Sequence, residues 1–407
     1  MKRWMITALL LPTLCFATNA INVIGVGAKS RGMGGVGVAL SQDAFAGAMN
    51  PAALGYQCSR TDVGLGSTWQ NGWTRVVTEE NGAIDETQFD NRQNYPLPEV
   101  AACWRFCSSQ VVGIALYPAA AASTHYNNRP FMPHQSSALR YYNLFVTPSW
   151  SWRINCYHTV GISANFSFAG LKVEGLNTAF SPNSIHPEDV SNRGLNTSQG
   201  FSFAVGWMGH FRDRVNVGAK VETKTWSRRY KSYQGLLVDE GRMEIAPIAG
   251  LGIAWRASPC VVIAADLLYR LWQRSEQFDN TSRESGVLFG GFGGEDGPGF
   301  GWKNQMIVKL GISWAVWPCL SVRAGYNYGQ PPLAQSETVL NALLLPVQEH
   351  HATFGATARW RCYELTLFYY HAFDRLVTGL GSTPFQSTEW DLRNGQNSCG
   401  LSLGLLY

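Results

Sequence analysis

The string Gly25-Val26-Gly27-Ala28-Lys29-Ser30 has the glycines, lysine and serine of a phosphate-binding loop. No glycine directly precedes the lysine, and no strand–loop–helix pattern follows, so nucleotide binding is not expected. Glycines of this density suit a compact segment packed in a narrow space, where larger side chains would clash. Glu349, His350 and His351 offer metal-ligand chemistry. Neighbours on a strand point to opposite faces, so the two imidazoles do not readily share one ion, and neither a metal nor a cofactor is expected. Lys309, Arg323 and Arg359 sit in alternating segments. Any of them would hold a carboxylate by a charge-assisted hydrogen bond at the end of an apolar corridor such as Phe368, Tyr370 and Leu268 would line. No paired acids, Cys–His pair or serine nucleophile turn is visible, so the chain does not read as an enzyme. A lipase would need a Ser–His pair at the outer surface.

The remaining chemistry is thiol chemistry. Nine cysteines occur, Cys15 in the first apolar run and eight beyond it. Cys107, Cys156, Cys260, Cys319 and Cys362 recur just after Trp-containing turns. If those turns join alternate strands they stand about 10 Å apart, beyond the roughly 7 Å that a disulfide spans. A ladder of bridges between turns is therefore not expected. A Cys103–Cys107 bridge within one hairpin is feasible, and intermolecular disulfides or unpaired thiols at the rim are the alternatives for the rest.

What positions these residues is a repeat. Alternating segments run into short turns and leave as further alternating segments: ACWRFCSSQVVGIALY from Ala102, SWRINCYHTVGISANF from Ser151, GWMGHFRDRVNVGAKVE from Gly206, AWRASPCVVIAADLLY from Ala254, SWAVWPCLSVRAGYNY from Ser313 and ARWRCYELTLFYY from Ala358. Tyr142, Leu144, Val146, Trp150 and Trp152 fall on one face, with Asn143, Thr147, Ser149 and Ser151 on the other. Period 2 with an apolar and a polar face predicts strands with one side in lipid. An open sheet edge in lipid would leave backbone groups unpaired, so the sheet must close. One strand near Asp62–Trp69, six hairpins and a terminal strand predict an all-β, transmembrane antiparallel barrel of about fourteen strands. Long loops are expected near 75–98, 119–140, 172–197, 226–244, 273–302, 329–349 and 374–397. Trp104, Trp152, Trp255, Trp317 and Trp360 would form one aromatic girdle, and Tyr117, Tyr269, Trp272, Tyr328 and Tyr369 the other. In loop 329–349, Leu340, Leu343 and Leu344 form a short apolar patch that would either capture a lipid or pack on neighbouring loops.

Composition agrees. Charged residues make up 15% of the chain and aromatics 13%, with 42 glycines; an ordinary soluble domain has about 25% charged residues. The net charge of +4 falls to about +2 without Lys2 and Arg3, so charge points to no nucleic-acid partner. Lys2 and Arg3, the apolar run Trp4–Phe16 and the small residues after it predict a secretory signal peptide over 1–20. The domains expected are that leader, an N-terminal segment over 21–57, and the barrel over 58–407.

The N-terminal segment carries AKSRGMGGVGVA and DAFAGAMNPAAL, from Ala28 to Leu54. Together with the barrel it resembles the N-terminal plug of the FadL/TodX family of outer-membrane transporters for long-chain fatty acids and hydrocarbons. Gly32, Gly34 and Gly35 match the family's glycine-rich opening, Asp43 its acidic residue, and Asn50-Pro51-Ala52 the step before the first strand. RAGYNYGQPPLAQSETVLNALLLPVQEHH, Arg323 to His351, is similar to a late segment of the family, with Gln330-Pro331 where Asn-Pro is usual. The resemblance implies a monomeric barrel in the Gram-negative outer membrane, closed by a plug (hatch) inside the lumen. It implies passive uptake of a fatty acid or similar hydrophobic small molecule, with plug movement and sideways exit through the wall into outer-membrane lipids. The tail residues Ile21, Val23 and Ile24 would reach the lumen site. The C-terminal strand ending in Tyr407 resembles the signal that outer-membrane barrels present to the barrel-assembly machinery. A general diffusion porin and a structural or adhesive surface barrel are the alternatives.

Overall fold

The computed structural model describes residues 19–80, 83–127, 130–131, 135–284, 287–288, 291–382 and 388–407. The leader expected over 1–20 lies outside the described residues except for Asn19 and Ala20.

Fourteen strands form the wall: β1 Arg60–Glu80, β2 Ala83–Cys107, β3 Gln110–Tyr126, β4 Ser137–Arg153, β5 His158–Glu174, β6 Asn196–Phe211, β7 Val215–Glu222, β8 Ile248–Ser258, β9 Val261–Arg270, β10 Gln305–Trp317, β11 Leu320–Gly329, β12 His350–Trp360, β13 Tyr363–Val377 and β14 Thr388–Leu406. Each pairs antiparallel with its neighbours in sequence, and β14 closes on β1 with Leu405 opposite Thr61 and Thr388 opposite Thr78. A two-residue piece, Trp226–Ser227, resumes the β7 edge against β6 after a break. No described helix is long and apolar enough to cross a membrane.

Alternation decides the faces. Ile162, Phe166 and Phe168 on β5 are exposed outward, and Thr159, Ser163 and Ser167 are buried inward. On β14, Leu401, Leu403 and Leu405 face out and Ser402 faces in. Trp104, Trp152, Trp255, Trp317 and Trp360 are exposed at the end of the short turns.

Two expectations need correction. The stretches 75–98 and 374–397 are mostly strand rather than loop, because β1 and β2 run for 21 and 25 residues. About ten residues suffice to cross a bilayer; the excess stands in water, where neither face need be apolar, so the lipid alternation disappears. The second girdle is also incomplete. Tyr269 and Tyr369 are exposed, but Tyr117 shares the inward parity of Val111 and Ala115, and Trp272 lies in a one-turn helix folded into the outer connections.

Those connections build an apolar cap. Trp302 packs 4.7 Å from Trp272 and 4.5 Å from Phe278, centroid to centroid, and its Nε1 donates to Asn341 Oδ1 at 2.6 Å.

Candidate functional site: a filled lumen and a parted wall

The segment from Asn19 to Tyr56 has almost no regular structure beyond three single turns, Ala28–Arg31, Ala46–Met49 and Pro51–Tyr56. It is nearly all buried, and what buries it is the inward face of the barrel. Short residues let its main chain lie directly on the wall. Gly34 and Gly35 have φ of 72° and 79°, a region that favours glycine. A Cβ on Gly34 would fall on the Leu310 carbonyl oxygen, and one on Gly35 on the Ile24 carbonyl oxygen. Gly32 lies against Gly355 of β12.

Charges then fix the position. Arg31 pairs with Glu99 of β2 at 2.8 Å, both side chains almost fully buried. Lys29 pairs with Glu364 of β13 at 2.6 Å, and Arg60 meets the same carboxylate at 2.7 Å. Burial pushes the Lys29 ammonium below its ordinary range, helped by the Arg60 charge and opposed by Glu364. Lys309 of β10 donates to the carbonyls of Ile24 at 2.7 Å and Gly35 at 3.1 Å. Asp266 of β9 accepts from the amides of Gly37 and Val38. Asn50 caps the last turn: its Oδ1 accepts from Ala52 N–H, while its Nδ2 donates to Val38 O at 2.6 Å and Trp207 O at 3.2 Å. Pro51 follows at the first position of that turn, where a missing N–H costs nothing.

The wall is not uniform. The β2–β3 ladder runs from Cys107 opposite Gln110 to Val100 opposite Leu116 and stops. Beyond it β2 stays with β1 and β3 stays with β4, so residues 117–126 of β3 have no β2 partner. Extending the register by two residues would set Pro98 opposite Pro118, a rung with no N–H from either side. A bulge between Pro118 and Ala120 bends β3 at the same level. A cavity of about 390 Å³ fills the gap, bordered by Gln93–Pro98 and by Ala120–Ser123. Further out, Asn91 bridges the strands: His125 N–H donates to its Oδ1 at 3.0 Å, and its Nδ2 donates to Ser123 O at 3.5 Å.

The vacated edge of β3 is taken from inside by the N-terminal tail. Ala121 N–H donates to Ile21 O at 2.9 Å, Val23 N–H donates to Ala119 O at 3.5 Å, and Asn22 bridges to Ala120. On the lumen side of this tail is a second cavity of about 100 Å³, where Val23, Met49, Tyr117 and Phe145 meet Lys220, Glu222, Arg270 and Lys309. A cavity of about 150 Å³ takes benzene, so with the tail docked this inner cavity is too small for an acyl chain.

The sequence-predicted ligand residues are spread over four places. Lys309 and Val23 border the inner cavity, while Ile21 and Ile24 lie with Tyr370 in the adjoining crevice under the tail. Phe368 packs with Ile24, Ala28 and Tyr370, beneath the Arg31 guanidinium at 5.4 Å. Arg323 lies apart, bonded to Thr357 at 2.6 Å. Leu340, Leu343 and Leu344 are buried in the outer cap, which is the packing alternative rather than an exposed patch. His350 lies tilted against Tyr326 and Tyr328, and His351 meets Tyr370 edge-on. Arg270, Lys220, Glu99 and Asn91 were missed. Arg270 shares the inward parity of Leu268, and Pro98 and Pro118 were the available signal for the gap.

The barrel shares its fold with solved hydrocarbon transporters and a FadL homologue. Among solved structures, the chain is similar to the Pseudomonas putida toluene transporter TodX, with 17% identity and TM-score 0.69 over 96% of this chain and 100% of that one. It is also similar to a Pseudomonas aeruginosa FadL homologue (14%, TM-score 0.71, 95% and 99%) and to the Ralstonia pickettii toluene transporter TbuX (15%, TM-score 0.65, 95% and 99%). No protein-family model matches the sequence, and no curated protein matches it.

Proposed function

We propose that the chain is a passive uptake channel for long-chain fatty acids or similar hydrophobic molecules in the outer membrane of a Gram-negative bacterium. A secretory leader over 1–20 delivers it, the barrel-assembly machinery folds it, and it works as a monomer. The segment over 21–57 is the plug. Substrate collects in the lumen, the tail at Ile21–Val23 leaves the β3 edge, and the molecule exits sideways between β2 and β3 into lipid. Sideways exit spares an apolar chain the cost of passing through water. The observation that carries this reading is the parted wall whose β3 edge at residues 119–121 is covered by the tail. At the inner cavity Lys220, Arg270 and Lys309 stand against Glu222 and the neighbouring Asp266, a net positive charge that favours a carboxylate-bearing substrate over a neutral hydrocarbon.

Substituting Pro98→Val together with Pro118→Val restores an N–H to each strand and lets the ladder continue. Uptake of a labelled long-chain fatty acid by cells lacking their own uptake system should fall about tenfold or more, with the barrel still folded by heat-modifiable migration on gels; tenfold corresponds to about 1.4 kcal/mol. Unchanged uptake in that variant overturns sideways exit here. Liposome swelling with small sugars at porin rates overturns the plugged channel in favour of a general diffusion porin.

A further inference from the structure

Seven connections lie at the rim of the short turns: six hairpin turns, and the junction where the chain passes into β1 beside the end of β14. Six of the seven carry a cysteine, Cys58 at the junction and Cys107, Cys156, Cys260, Cys319 and Cys362 at the turns. Five of these are exposed, Cys362 is half-exposed, and none is in a disulfide. The other two thiols lie elsewhere, Cys103 buried and Cys399 on the lipid side of β14. The Cys103–Cys107 bridge judged feasible from sequence does not form. Both residues belong to β2, and four strand steps separate them by about 13 Å. Consecutive turns are two strands apart, about 10 Å, so the ring does not staple itself from turn to turn.

The same rim is basic. Arg212, Arg214, Arg256, Arg359 and Arg361 are exposed there, and Asp213 is the exposed acid of the turns. Arg105 and Arg153 also stand at the turns but are spent on the carbonyls of Gly55 and Gln57. Arg256 stands at the Cys260 turn and Arg359 and Arg361 at the Cys362 turn, while Arg212 and Arg214 flank the one turn without a cysteine; accessible thiols and exposed arginines therefore share one rim, in a compartment that permits disulfides.

We propose that this rim is a docking and cross-linking surface for an acidic, disulfide-bearing protein on the periplasmic side. This rests on the reading of the short turns as periplasmic. The step is thiol–disulfide exchange. A rim thiolate attacks one sulfur of the partner's disulfide, the partner's S–S bond breaks, and a mixed S–S bond forms. The electron pair leaves on the partner's other sulfur, which takes a proton; the partner's own disulfide is the oxidant. A second copy of this chain is a poor partner, because two arginine-rich rims repel.

The test uses the folded full-length barrel in detergent and two peptides carrying the same chromogenic mixed disulfide, one acidic and one basic. The acidic peptide should react at least tenfold faster at low salt, with the advantage lost in concentrated salt and the label on the six rim cysteines. Equal rates, or label confined to Cys399, overturn the proposal. In envelopes alkylated at harvest, unreduced gels should show the chain joined to a different protein and released by reduction. Monomer alone, or a ladder at multiples of this chain, also overturns it. Replacing all six rim cysteines by serine should abolish the joined band, whereas C103S/C399S should keep it. Fatty-acid uptake by the six-serine variant is read separately and should stay at the parental rate. Absence of uptake in the parent would sink the transport reading and leave the exchange rates to judge the rim.

Discussion

The lumen and the outer cap are both buried, and they are held in different ways. In the lumen, small residues bring the plug's main chain onto the wall, and its position is set by Arg31–Glu99, Lys29–Glu364 and the Lys309 ammonium on two carbonyls. In the cap, Phe278 stacks on Phe300 and Trp302 and Trp272 meets Phe278 and Trp302 edge-on, with Leu340, Leu343 and Leu344 around them. Apolar burial is non-directional and tolerates small shifts. A buried ion pair is favourable only in register, and out of register each ion carries a desolvation cost of several kcal/mol. The lumen is therefore built to hold one position and to lose it all at once, while the cap is built to stay. This is the contrast that the proposed movement of the plug requires.

The largest effects should separate the two regions. Trp302→Ala removes the centre of the ring cluster and the partner of Asn341, which should cost about 3–5 kcal/mol. Proteases should then cut the connections after β9 and β11, while single-channel conductance stays low because the plug is untouched. Glu99→Gln leaves the Arg31 guanidinium buried without its counter-ion, a change of similar size, about 3–5 kcal/mol. Here the outcome should reverse, with conductance in planar bilayers rising and the cap staying protease-resistant. R31L/E99L, which removes both charges, should recover most of the loss. If both single variants loosen both regions equally, the contrast between them is wrong.

A smaller effect should appear with pH. Burial, and then the Asp62 charge, push the Asp43 carboxyl up to about 7; Lys29 and Arg60 pull it down and Glu99 adds to the rise. A released plug would titrate near the ordinary value of about 3.9. Between those values the docked plug holds a proton that the released plug gives up. Docking is thus favoured below about 4, weakens as pH rises toward about 7, and is flat above it. Conductance should rise across that window, and Asp43→Asn should flatten the profile. An unchanged profile in that variant removes Asp43 from the latch.

Much of the wall was legible because lipid imposes a rule on every second residue. The alternation on β4 and β5 and the Trp-containing turns all report it. Where water replaces lipid the rule lapses, which is why the outer parts of β1, β2 and β14 read as loops. Tyr117 reads as a girdle residue from sequence because aromatic residues near a strand end suit either a girdle or a lumen, and only parity with Val111 and Ala115 decides. In the lumen, residue types were legible and partners were not. Lys309 reads equally well as a carboxylate anchor or as a clamp on plug carbonyls, since the choice depends on a main chain some 285 residues away in sequence. The gap was written in Pro98 and Pro118, but its meaning needs the register that sets them opposite.

The smallest effect tests whether the parted wall has a defined outer end. Asn91 spans β2 and β3 where their ladder is absent, satisfying the His125 amide and the Ser123 carbonyl with one side chain. Replacing it by alanine removes two hydrogen bonds between strands that make no backbone pairs there. Together they are worth about 1–2 kcal/mol net, so a rise on the order of five- to thirtyfold in the population with a wider gap is expected. Fatty-acid uptake should rise modestly, whereas conductance should not, because the lumen contacts at Arg31, Lys29 and Lys309 are unchanged. Asn91→Asp keeps the acceptor for His125 and loses the donor to Ser123, so it should fall between the parent and the alanine variant. A rise in conductance with either substitution would mean that the gap and the plug open together.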